Sequence, residues 1–220
     1  MERSLIYNGT ITAEQFLFYE IRIASKYYLD GKSVEDAIEE IKKNNLFQYP
    51  TERLVARMVR SCYKRLDALD DEQLRQELSS APSEIAKQIN LYAMMRYNRI
   101  VWDFMVGVIG EKFRSQDFEF SRKDLNVFFS HLQEQNDDIA GWSETTVNKI
   151  KHLLNSCVSQ ELLSIQPTLN NQPGTIGSIP LLLSSDETIV DSFVKQNITL
   201  SKDDWDSYET SWDFKRNPLV

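Results

Sequence analysis

The stretch Asn45–Leu69, NLFQYPTERLVARMVRSCYKRLDAL, decides the reading of the whole chain. Pro50 and Thr51 announce a helix start: proline does not continue a preceding helix, and a threonine hydroxyl can accept from the open N–H groups of the first turn. From there Leu54, Val55, Met58, Cys62 and Leu66 recur every three or four residues, the period of a helix with one apolar side. The other side carries Arg53, Arg57, Arg60, Lys64 and Arg65, and Glu52 is the only acid between Thr51 and Leu66. An amphipathic helix to about Leu69, with a basic outer face, is the expectation.

Upstream, a helix is predicted from Thr12 as cap to Leu29, with Phe16, Tyr19, Ile23 and Tyr27 at helical spacing and Asp30-Gly31 as its exit. Ser33 opens the next helix, with Asp36 at the capping-box position and Val34, Ala37, Ile38 and Ile41 as the buried stripe, up to Asn44-Asn45. Downstream, Asp70 to Leu78 reads as a brief acidic helix. Pro82-Ser83 then starts a long one, to about Phe113, apolar nearly all round in its middle and expected as the central post.

The second half repeats the pattern. Ser121 caps a helix with Asp124 at the box position, and Ser143 caps another carrying Val147, Ile150, Leu153, Leu154 and Val158. Leu162–Gln166 and Ser178–Leu183, two apolar runs around the turn Pro167 to Gly177, read as a short β-hairpin, followed by a helix from about Asp186 to Gln196. The fold expected is all-α: a helical bundle with helix-turn-helix and winged-helix-like elements and that one hairpin. Three regions divide it: 1–80, 81–197, and an acidic aromatic tail at 198–220.

With 220 residues, 41% hydrophobic, the chain can bury a real core, and 7 glycines and 6 prolines are too few for a low-complexity protein. Its 25 basic against 33 acidic residues leave a net charge of -8, which argues against wholesale nucleic-acid affinity. Nucleic acid responds to local patches, however, so the position of the cations matters more than their sum. Cys62 and Cys157 sit in helical patterns without partners at metal-ligand spacing and read as buried thiols of a reducing cytoplasm. No secretory signal is expected at the N-terminus. The longest apolar run, Ile100 to Ile109, contains Asp103 and falls short of the roughly 20 residues of a membrane span.

Catalytic groupings are lacking in the sequence: two histidines, His131 and His152, no HExxH, no phosphate-cradling glycine loop and no GxSxG. The paired carboxylates, such as Glu39-Glu40 and Asp137-Asp138, suit solvated faces or helix N-termini. No enzyme, cofactor, metal or small-molecule substrate is therefore expected.

Helix-turn-helix grammar occurs twice. In such modules the second helix enters the major groove and flanking Arg and Lys contact phosphates. Arg53, Arg57, Arg60 and Lys64 are spaced for one side of a helix, though such charges also serve simply to keep a face soluble. The second unit offers Lys149 and Lys151 with His152, Asn148 and Thr145, and its turn 168–177 holds no Lys or Arg, so a structural or protein-facing use is equally open. The tail mixes Asp203, Asp204, Asp206, Glu209 and Asp213 with Trp205, Tyr208, Trp212 and Phe214; it would repel DNA, and could dock on the body or anchor a partner.

Several strings together resemble one family: EQFLFYEIRIASKYYLDGKSVEDAIEEI, NLFQYPTERLVARMVRSCYKRLDAL, INLYAMMRYNRIVWDFM, DLNVFFSHLQEQNDDIAGWSETTVNKIKHLL and LLLSSDE, in this order. They look like the BrxA family of bacteriophage exclusion (BREX) systems, from about Asn8 to Gln196, with NLFQYP and AGWS the most specific pieces. The resemblance implies a small cytoplasmic protein encoded with a methyltransferase and a large ATPase, a NusB-like helical bundle, and binding to double-stranded DNA. It supplies no catalytic motif, and the choice of basic residues comes from the helix itself. Two other roles compete: an adaptor for other BREX proteins, with DNA affinity incidental, and RNA binding by fold analogy, where Tyr63 beside Lys64 and Tyr97 beside Arg96 and Arg99 would have to stack bases.

Overall fold

The structure is a computed structural model that describes residues 7, 9, 11, 15–115, 117 and 119–161. All regular elements among them are helical, as the apolar periodicity requires. The hairpin, the helix expected from Asp186 and the aromatic tail lie outside the described residues.

Helix α1 spans Phe18–Leu29 and α2 spans Val34–Lys43. Gly31, at φ 73°, closes α1 in the left-handed conformation that glycine adopts at no steric cost. Ser33 caps α2 by accepting from Asp36 N at 3.1 Å. Asn45, at φ 47°, ends α2 with Leu46 N donating back to Ile41 O. Helix α3, Glu52–Ala68, starts where expected, with Thr51 Oγ1 accepting from Leu54 N at 3.4 Å. Helix α4, Glu72–Ser80, is capped by Asp71, which accepts from Gln73 N and Leu74 N.

Helix α1 begins six residues after the expected Thr12 cap, and the reason is a buried cation. Arg65, fully buried in α3, donates from Nη1 to Phe16 O at 2.8 Å and from Nη2 to Gln15 O at 2.6 Å. Asn90 Nδ2 gives Phe16 O a second donor at 2.7 Å. Carbonyls held sideways by a core arginine cannot point along a helix axis, and Leu17 turns through φ 53° before α1 starts. For a leucine that conformation costs on the order of 1–2 kcal/mol, which the three hydrogen bonds offset.

The long central helix is also interrupted. Helix α5, Ser83–Tyr97, ends at Asn98, which leaves the helical region at φ -134°, ψ 119°. The same Asn98 caps α6, Arg99–Phe104, its buried Oδ1 accepting from Ile100 N at 3.0 Å. A short polar side chain thus replaces one turn of backbone pairing with its own. A π-helical turn, Met105–Ile109, then leads into α7, Gly110–Arg114. This post is apolar on nearly every side, and Ile89, Leu91, Met95, Val101 and Phe104 are fully buried.

Helix α8, Arg122–Gln135, carries the expected box: Ser121 N donates to Asp124 Oδ2 at 2.8 Å. The one-turn helix α9, Asp137–Ala140, is capped by Asn136, and α10, Glu144–Glu161, by Ser143, which accepts from Thr146 N at 3.2 Å. Helices α1, α3, α4 and α10 all contact α5, and the buried residues form one contiguous core.

Candidate nucleic-acid interface

Arg53, Arg57, Arg60 and Lys64 are all exposed on α3. At 3.6 residues per turn their directions fall within about 60° of each other, and the stripe from Arg53 to Lys64 is about 16 Å long. Arg53, Arg57 and Lys64 have no ion-pair or hydrogen-bond partner among the described residues. Arg60 Nη2 lies 3.9 Å from Glu35 on α2, a solvent-exposed pair that constrains it little. The one acid at the start of the helix, Glu52, is faced by Lys42 at 3.5 Å. Lys42 was not singled out in the sequence, although its place in the last turn of α2 sets it beside the start of α3.

Arg65 does not belong to this face. About 120° around the helix from Arg53, it shares the sector of Met58, Cys62 and Leu69, and its guanidinium serves the core. Its guanidinium is not presented at the surface where a phosphate would lie. The connection between α2 and α3 is also longer than the 3–4-residue turn of a helix-turn-helix: it runs from 44 to 51, eight residues. What stands out is a basic stripe on one helix rather than a compact two-helix reading head.

The second unit brings less together. Lys149 and His152 are exposed on α10. Lys151 is half-buried, donates to Asn126 Oδ1 of α8 at 2.8 Å and lies 5.3 Å from the centre of the Phe129 ring. It braces α10 against α8. Of the tyrosines considered for base stacking, Tyr63 is buried edge-on against Tyr28, and its hydroxyl donates to Lys32 O at 3.2 Å. Burial pushes the Tyr63 phenol up to about 12, as expected of a group held neutral in the core. No cluster of His, Cys, Asp and Glu suited to a metal ion occurs among the described residues, and no helix there is long and apolar enough to cross a membrane.

One solved structure, described as an uncharacterized protein from Magnetospirillum magneticum, superposes with a TM-score of 0.60 at 18% identity, covering 87% of this chain and 93% of that one. That likeness concerns the fold alone. A stretch of 56 residues is 36% identical to the adenine-specific methyltransferase BrxX of Escherichia coli O9:H4 (strain HS), which is 26% of this chain but 4% of the enzyme. The BREX protein BrxA of Bacillus cereus (strain H3081.97) is 31% identical over 153 residues, 70% of this chain and 76% of that protein. The family model for BrxA matches residues 5–164, across all ten helices described above. On this ground the chain belongs to the BrxA family, and with it to BREX phage defence.

Proposed function

We propose that this protein is a non-enzymatic component of a BREX system, acting in the cytoplasm, that binds double-stranded DNA through the outer face of α3. The observation that carries this reading is the stripe of Arg53, Arg57, Arg60 and Lys64: four cations on one side of one helix, three of them unpaired among the described residues, in a chain of net charge -8. Lys149 on α10 is a secondary contact. Lys151 is already engaged within the fold.

Three or four phosphates neutralised give a log–log salt slope of about -3 at about -0.9 per phosphate. Between 50 and 200 mM salt, affinity then falls roughly 40- to 150-fold. Phosphate contacts carry no sequence information, so random duplexes bind about equally. The test is fluorescence anisotropy with a random duplex at low and moderate salt, wild type against Arg57→Glu. Weaker binding across all sequences, with an unchanged melting temperature, supports the site; unchanged affinity refutes it. If the wild type fails to bind even at low salt, the role shifts to assembly with other BREX proteins, the partner class that family membership supports.

A further inference from the structure

The basic stripe has a complement within the chain itself. Between Asp203 and Asp213 the sequence DDWDSYETSWD holds five acids and no cation. Asp206, Glu209 and Asp213 follow one another at spacings of three and four, the same intervals that set Arg53, Arg57, Arg60 and Lys64 along α3. With five acids and no cation, the run carries more net negative charge than any other eleven-residue stretch of the chain. From Glu161, where the described residues end, residues 162–202 precede this run. Forty-one residues have a contour length of up to about 135 Å, against a radius of gyration of about 15 Å for a body of 150 residues. The run can therefore reach any face.

We propose that the acidic run Asp203–Asp213 docks on the α3 stripe of its own chain and competes there with anionic ligands. The stripe suits this occupant for three reasons: its cations are exposed, three of them have no partner among the described residues, and Lys42 already meets the neighbouring Glu52. The consequence for DNA rests on the function proposed above. Duplex must displace the run, and the apparent Kd is the intrinsic Kd divided by the fraction of molecules in which the stripe is open. A run docked in nine molecules of ten weakens duplex binding about tenfold. Non-specific affinity is thereby held down by a segment of the protein rather than by its overall charge.

Two measurements on the full chain separate this inference from DNA binding itself. Zero-length carbodiimide cross-linking at low salt, read by peptide mass spectrometry, should join Lys64 to carboxylates of 203–213 within one chain. The exposed Lys149 is the control amine, and molar salt should abolish the product, since screening then acts within about 3 Å. Duplex anisotropy then compares wild type with a variant whose run is neutral: Asp203→Asn, Asp204→Asn, Asp206→Asn, Glu209→Gln and Asp213→Asn. The expected result is about tenfold tighter binding by the neutral variant. Equal affinities overturn the proposal while leaving DNA binding by α3 intact, as do cross-links that favour Lys149 equally or form only between two chains. If neither protein binds duplex but the Lys64 cross-links form, DNA binding falls and docking of the run stands.

Discussion

Replacing Arg65 by methionine separates the two kinds of arginine on α3. The change keeps an unbranched apolar stem reaching about as far as Nε and removes the guanidinium with its two charge-assisted hydrogen bonds, to Phe16 O at 2.8 Å and Gln15 O at 2.6 Å. Such bonds contribute roughly 1.5–3 kcal/mol each, and part of that is returned because a guanidinium no longer has to be buried. Phe16 O keeps Asn90 as a donor, whereas Gln15 O loses the donor that fixes it. The net cost comes to about 3 kcal/mol, which at about 2–4 °C per kcal/mol for a protein of this size lowers Tm by about 6–12 °C. Differential scanning fluorimetry and urea titration measure this directly, and duplex anisotropy well below the new Tm should give wild-type affinity. A Tm within about 2 °C of wild type would refute the account of Arg65 as the clamp on the chain before α1. A normally folded Arg65→Met protein that no longer bound duplex would place Arg65 on the DNA side after all.

Three further expectations follow. Arg57→Ala should reduce the salt slope of duplex binding by about 0.9 without moving Tm, and an unchanged slope would remove Arg57 from the contact set. Asn98→Ala removes the cap on Ile100 N and should cost about 1–2 kcal/mol in urea unfolding; no loss would mean that the break is set by packing alone. A raised tyrosine pKa favours the neutral form in the folded state, so its stabilisation is present below the unfolded value near 10 and is lost as pH rises toward the folded one. With Tyr63 at about 12, and Tyr7, Tyr28 and Tyr49 also raised by burial first and then by the acceptor carboxylates Asp103, Asp67 and Glu20, stability should decline above about pH 10. Urea midpoints from about pH 9 to 11.5 would test this, and Tyr63→Phe should flatten the decline.

Much of this architecture was legible because helix starts and apolar stripes are local signals. Ser33, Thr51, Ser121 and Ser143 each cap the helix that their spacing announced. The late start of α1 was not legible, because its cause lies 49 residues away in Arg65. Asn98 broke the post where the apolar run gave no warning: a capping side chain matters only once it is buried beside an open N–H. Arg65 was misplaced for a different reason. Grouping it with its neighbour Lys64 by charge ignored its phase, and about 120° from Arg53 is the sector of Met58 and Leu69. The burial of Tyr63 and the bracing role of Lys151 required knowing which helix lies opposite, and single-helix periodicity does not contain that.

The division of the post at Asn98 has a consequence for how the molecule comes together. Helices α1 to α4 find their main packing partners among themselves and in α5, all before residue 98, so that half can assemble before the rest of the chain has left the ribosome. Helix α10 reaches back to α5 across some fifty residues, a loop about as long as the one α1 closes onto α5, but it can dock only once its own later residues have been made. The helix bearing the basic stripe therefore belongs to the early half, and its outward charges are in place before the remainder of the chain has docked.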